Sequence, residues 1–279
     1  MEKSYAILAN RISLKEKYSR KAVNNMNKGT AKSVGYAVEY MALVVVILVV
    51  WIVMGSTGKL NPVIMPSLSK VGSTFLSLIE SGNIWENLGI SVWRVLQGYL
   101  LASVLGIVLG ILIGLSRHLD RLTALLIQII KPIPPIAWIP LVILWFGIGE
   151  GGKVFLIFLG GFFTILINVI DGIRQTDRKL VEVSKSMETP FFKHIFEMVI
   201  PGAAPNIFTG LRTGLSSCWM CVVAAELVSS TTGLGYLIMN ARQFGKTDVV
   251  IIGMLTIGIT GKIMDSLLRL LERFIIRWN

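Results

Sequence analysis

The chain has 279 residues, of which 53% are hydrophobic and 15% charged, with mean hydropathy +0.70 and net charge +11. A soluble domain of this length needs far more charge to cover its surface. The basic residues sit at the ends of apolar runs with few aromatic–basic clusters, which argues against nucleic acid as a partner.

The apolar residues fall in continuous runs, such as 41–54 and 99–115. Helices need roughly 17–25 such residues to cross a bilayer core of about 30 Å, and barrel strands would alternate instead. The composition therefore predicts an all-α integral membrane protein. Residues 1–35 form a basic tail with Lys3, Arg11, Lys15, Lys17, Arg20, Lys21, Lys28 and Lys32 ahead of any apolar run. A signal peptide would start its apolar region earlier and end at a small-residue cleavage site, so the first apolar segment reads as a retained anchor.

Residues 36–279 read as one transmembrane domain, with spans at about 36–55, 89–115, 123–147, 153–171, 204–228 and 249–268. Six spans put both termini on one face. That face then carries the tail cations, Arg117, Arg121, five Lys/Arg between Arg174 and Lys193, and Arg269, Arg273 and Arg277. The opposite face carries Lys59, Lys70, Lys153, Arg242 and Lys246. By the positive-inside rule both termini are expected in the cytoplasm.

The second span holds small residues at spacing four: Gly98, Ala102, Gly106, Gly110 and Gly114, with Arg94 one turn earlier. Such a ladder lets helix backbones approach closely, and Gly210 and Gly214 repeat the device in the fifth span. In the third span, Pro132, Pro134, Pro135 and Pro140 remove backbone donors and predict a kink, as in the broken helices that border translocation paths.

Between the third and fourth spans, WFGIGEGGKVF (145–155) fits two nucleotide patterns. Gly147, Gly149 and Gly152 spell G-x-G-x-x-G, and Gly147 to Lys153 spells G-x-x-x-x-G-K. Neither has its context. A P-loop needs Ser or Thr after the lysine, where Val154 stands, and a dinucleotide fold needs a preceding strand. The loop reads as a tight turn on the outer face, so the chain is expected to hold no ATP itself and to be no enzyme.

From Asp171 to Pro201 the hydrophobicity drops on the inner face. Leu180, Ser184 and Met187 share one helical face, as do Phe191, Ile195 and Met198, and Thr189–Pro190 is a helix start. Two short amphipathic helices are predicted here, lying either on the lipid interface or against a partner. Cys218-Trp219-Met220-Cys221 lies in an apolar span and reads as packing rather than redox chemistry. His118 and His194 are the only histidines, and no metal-ligand spacing or catalytic constellation emerges. Glu226, followed by Ser229, Ser230, Thr231 and Thr232, marks a polar outer mouth.

The inner loop EVSKSMETPFFKHIFEMVIP resembles the EAA loop of ABC-importer permeases, E-A-A-x3-G-x9-I-x-L-P. Glu182 and Pro201 match, Met198 and Ile200 are conservative, and Val183 and Ser184 replace the alanines. Glu188 stands where the family has Gly, and Pro190 is expected to supply the break instead. PIPPIAWIPLVILWFGIGEGGKVF, GLRTGLSSCWMCVVAAELVSSTTGLGYLI and the following ARQFGKTDVVIIGM resemble the nitrate, sulfonate and taurine permeases of that superfamily, from about Asn87 to the C-terminus.

The resemblance implies a type I ABC importer transmembrane domain in a bacterial cytoplasmic membrane. It implies a homodimer of two permease copies, two cytosolic ATPase subunits that bind ATP and Mg, and an extracytoplasmic substrate-binding protein. The EAA loop, about 172–201, becomes the coupling helix. Its contact is assigned to Glu182, Val183, Ser184, Lys185, Ser186, Met187, Glu188, Thr189, Pro190 and Phe191. Residues assigned to the translocation path are Pro135, Trp138, Arg212, Ser217 and Glu226. The expected substrate is a small oxyanion or sulfonate such as nitrate, taurine or an alkanesulfonate. A thiamine-precursor or riboflavin-like heterocycle is the alternative, and a secondary transporter a more distant one.

Overall fold

The computed structural model describes residues 42–55, 61, 64–176, 190, 193 and 195–275, and it is helical throughout the regular elements among them. Two compact units emerge, Met1–Leu68 and Ser69–Asn279. In the first, α1 (Ala42–Gly55) is apolar on every face, and the Trp51 indole N–H donates to the Pro66 carbonyl at 3.1 Å.

The second unit is built from α2 (Leu68–Glu80), α3 (Asn83–Leu115), α4 (Arg117–Ile130), α5 (Ile139–Phe146), α6 (Glu150–Arg174), α7 (Ile200–Ser229), α8 (Leu234–Gln243) and α9 (Thr247–Ile275). Four helices are long and apolar enough to cross a membrane: Asn83–Leu115, Glu150–Arg174, Ile195–Val228 and Thr247–Ile275. They match the second, fourth, fifth and sixth expected spans; the fourth and sixth run past them at both ends and the second and fifth only at the start, because polar residues continue a helix beyond its apolar stretch.

The third span differs from expectation. It is not one kinked helix but α4 and a second piece, Pro135–Phe146, bent by 87°. Pro132, Pro134 and Pro135 lack the N–H that would continue α4, and the chain resumes as a 3₁₀ turn over Pro135–Trp138 before α5. Between the first two spans the sequence showed no element, yet α2 forms there, with Val71 buried and the Thr74 hydroxyl donating to Asp248 of α9 at 2.6 Å.

The core centres on α6, which packs between α3 and α7. The small-residue ladder of α3 meets the branched side chains Ile157, Ile165, Val169 and Ile173 of α6, with Gly161 facing Ala102 between the first two. A Cβ placed on Gly98 would lie 2.6 Å from Ile157, on Gly106 3.0 Å from Ile165, on Gly110 2.7 Å from Val169 and on Gly114 3.0 Å from Ile173. On the other side the device inverts. Gly160 and Gly161 of α6 receive Cys221 and Cys218 of α7, while Gly210 and Gly214 of α7 receive Asn168 and Ile165 of α6. Lipid provides no hydrophobic drive between helices, so close van der Waals contact of this kind has to supply the association. The opposite face of α3, with Leu100, Val104, Val108 and Leu112, is exposed as a lipid-facing surface should be.

Candidate functional site

A largely apolar cavity and a buried charge cluster sit in this frame. The first is a cavity of about 350 Å³ at the break between α4 and α5. It is lined by Ile130, Lys131, Ile133, Pro135 and Trp138 of the broken span, by Leu159, Gly160, Phe163 and Thr164 of α6, and by Ser217, Met220 and Cys221 of α7. The α6 residues fall near the middle of Glu150–Arg174, so the cavity lies at the middle of the bundle. Proline creates it: the chain leaves the helical path after Ile130 and resumes only as the short 3₁₀ turn Pro135–Trp138, which lines the cavity without filling it. Gly160 deepens that wall by leaving room for Cys221.

The second is a charge cluster at the end of the bundle where α6 begins and α7 ends. Arg94 of α3, only 2% exposed, uses all five of its N–H donors. Nε and Nη2 hold the two Glu150 carboxylate oxygens at 2.6 and 2.7 Å, and Nη1 donates to Glu226 at 2.8 Å. Nη1 also donates to the Thr232 carbonyl at 2.8 Å, and Nη2 to its hydroxyl at 3.0 Å.

Glu226, 1% exposed, is satisfied in turn by the Ser91 hydroxyl at 2.8 Å and the Gly235 N–H at 2.9 Å. Ser91 then accepts from Leu234 N–H at 2.9 Å, and Asn87 accepts from Gly233 N–H at 2.7 Å. Lys153 donates to Glu150 at 2.9 Å, giving two positive and two negative groups in one cluster. Gly233 has φ +109, and its missing Cβ leaves room for the Glu226 carboxylate.

Each expected path residue has a definite place. Pro135, Trp138 and Ser217 line the cavity, and the Ser217 hydroxyl donates back to the Thr213 carbonyl at 3.1 Å. Arg212 does not line it. It reaches across to α9, pairing with Asp265 and Glu272 at 3.3 Å each. Glu226 is sealed inside the charge cluster rather than open at a mouth.

Lys131 lines the cavity, although it was not among the residues assigned to the translocation path; its position directly before Pro132 was the available signal. Of the coupling residues, Glu182 to Thr189 and Phe191 lie outside the described residues, and Pro190 is exposed. The basic tail also lies outside them.

The glycine loop serves the fold. Gly147, at φ +70, follows α5, Gly149 precedes α6, and Gly152 packs beneath Val142. Lys153, which imitates a phosphate-binding lysine, is 5% exposed and taken up by Glu150.

Comparison with known proteins agrees with this frame. The chain is 44% identical over 236 residues to the permease protein SsuC of Escherichia coli (strain K12), named for aliphatic sulfonates transport, covering 84% of this chain and 89% of that one. It is 31% identical over 239 residues to the taurine transport system permease protein TauC of the same organism, covering 84% and 87%. It is 32% identical over 200 residues to the bicarbonate transport system permease protein CmpB of Synechococcus elongatus (strain ATCC 33912 / PCC 7942 / FACHB-805), covering 71% and 72%.

Among solved structures, an amino acid ABC transporter crystallised with histidines shares the fold at TM-score 0.60 and 16% identity, over 71% of this chain and 97% of that one. The architecture is that of a type I ABC importer transmembrane domain. Residues 102–277 match the family of binding-protein-dependent transport system inner membrane components, and the chain belongs to that family of multi-pass permeases.

Proposed function

We propose that this chain is the membrane-spanning subunit of an ATP-driven importer for a small sulfonate of the alkanesulfonate or taurine class, with other oxyanions such as nitrate as poorer cargo. The observation that carries the reading is the cavity opened by the broken third span at the middle of the bundle, in a chain 44% identical to a permease named for aliphatic sulfonates. Non-helical backbone at membrane depth is tolerated where it borders protein or a water-filled space, and such breaks recur at transport sites.

Two copies pair, and the binding protein delivers cargo at the end that carries the charge cluster. At the opposite end, which faces the cytoplasm together with both termini, the segment 182–191 docks on a cytosolic ATPase that holds ATP and Mg. ATP-driven closure of the ATPases draws the two docking segments together, and the bundles rock as rigid bodies about the pair axis.

The test is purification of the tagged chain in mild detergent from its own membrane, followed by uptake of labelled ethanesulfonate, taurine, nitrate and an aminopyrimidine by the recovered assembly in liposomes. An associated P-loop ATPase, lost when Glu182 and Met187 are replaced, together with ATP-dependent sulfonate uptake, is the expected result. A chain that emerges alone and moves solute without ATP is a secondary carrier and ends the proposal. Uptake of the aminopyrimidine in place of sulfonate keeps the importer and replaces its cargo.

A further inference from the structure

Lys131 is the one charged residue among those described that line the cavity, and among the described residues its ammonium has no carboxylate partner. Its depth follows from two anchors. Asp120, in the first turn of α4, pairs with Arg174 at the last turn of α6. The chain then climbs one helix, Arg117–Ile130, to a cavity shared with Leu159, Gly160, Phe163 and Thr164.

Lys131 therefore stands level with the middle of α6, where an unneutralised charge is expensive and usually serves a pathway. Snorkelling cannot remove that cost as it does for a lysine at a helix end, because the bundle middle is the farthest point from either interface. At the turn over Lys131–Pro134 the prolines offer no N–H to α4, and Ile133 N–H serves the Ile130 carbonyl instead at 3.0 Å, so the carbonyls still left open need donors such as water or the Lys131 ammonium.

We infer that Lys131 is the anion-binding residue of the translocation path, drawing the sulfonate group of the cargo to the middle of the membrane. This rests on the sulfonate reading above. Within the same cavity the Thr164 hydroxyl has no hydrogen-bond partner among the described residues and offers a second donor. Ser217 offers less, its donor being committed to Thr213. Trp138, Phe163 and Met220 give the apolar wall that an alkyl chain requires. One lysine supplies a single point charge rather than a bidentate clamp, which suits a cargo that has to leave again.

The test uses the complete importer, permease with its ATPase and binding protein, in proteoliposomes with labelled ethanesulfonate. Lys131→Met should lower ATP-dependent uptake by at least about tenfold while ATP hydrolysis stimulated by the loaded binding protein stays within about twofold of the unmodified complex. Lys131→Arg should keep about a third or more of the uptake, because the charge remains. Thr164→Val should lower uptake by a smaller factor.

Unchanged ethanesulfonate uptake in Lys131→Met overturns the inference while leaving the sulfonate importer standing. Joint loss of uptake and stimulated hydrolysis in Lys131→Met also overturns it, since the residue would then serve assembly. If the unmodified complex imports the aminopyrimidine and no sulfonate, the cargo reading fails first and the inference with it.

Discussion

The charge cluster around Arg94 and the cavity around Lys131 treat charge in opposite ways: Arg94 is buried, whereas Lys131 is exposed beside the cavity. Arg94 is surrounded: every donor is used, Glu226 also takes the Ser91 hydroxyl and the Gly235 N–H, and the Gly233 and Leu234 N–H groups are held by Asn87 and Ser91. Lys131 is beside open space, with no carboxylate paired to it among the described residues. A membrane protein can carry charge at depth when the charge is fully consumed by the fold or when it is held for something that arrives. The first arrangement cannot bind cargo without coming apart. The second cannot contribute much to stability.

That contrast can be broken by substitution, with thermal unfolding of the detergent-purified chain as the readout. Arg94→Met should be the most damaging change, at about 3–5 kcal/mol, because it strands the buried Glu226 carboxylate. Pairing it with Glu226→Gln should recover part of that loss, and a double variant no better than the single one would mean that the cluster is not one coupled unit. Gly110→Leu comes next, at about 1–3 kcal/mol, because its Cβ already meets Val169 at 2.7 Å.

Arg212→Ala should cost about 1 kcal/mol or less, since its side chain and those of Asp265 and Glu272 are each about a quarter exposed and solvent screens the pairs. Lys131→Met should change stability by no more than about 0.5 kcal/mol. A large loss there would show that the cavity lysine belongs with Arg94 rather than opposite it.

The sequence made the apolar spans legible because a continuous apolar run has few other uses. It made a bend in the third span legible because proline removes a donor wherever it stands, but not the full 87° break into two helices. The small-residue ladder was visible as spacing, but its partner was not: nothing in Gly98 to Gly114 names Ile157, Ile165, Val169 and Ile173. The same holds for Glu226, read as a mouth residue from the run of hydroxyls after it, while its partner Arg94 lies 132 positions away in the chain. Helix α2 escaped notice although its amphipathic period is legible, because its 13 residues are too few to count as a membrane span. Lys131 was overlooked for a different reason. It already fell inside the expected span 123–147, but a long cation there can still reach an interface, and only the 87° bend places it at the break beside the cavity.

The side chain of Ile165 touches two glycine sites at once, Gly106 on one neighbouring helix and Gly214 on the other. Mutational paths through this region are therefore ordered. A larger residue at 106 or 214 becomes admissible only after 165 has been cut back to valine or alanine, and cutting back 165 first opens a void against both neighbours. Three positions on three helices behave as a single inherited character, and a library that varies them one at a time would score each as immutable while missing the combinations that work.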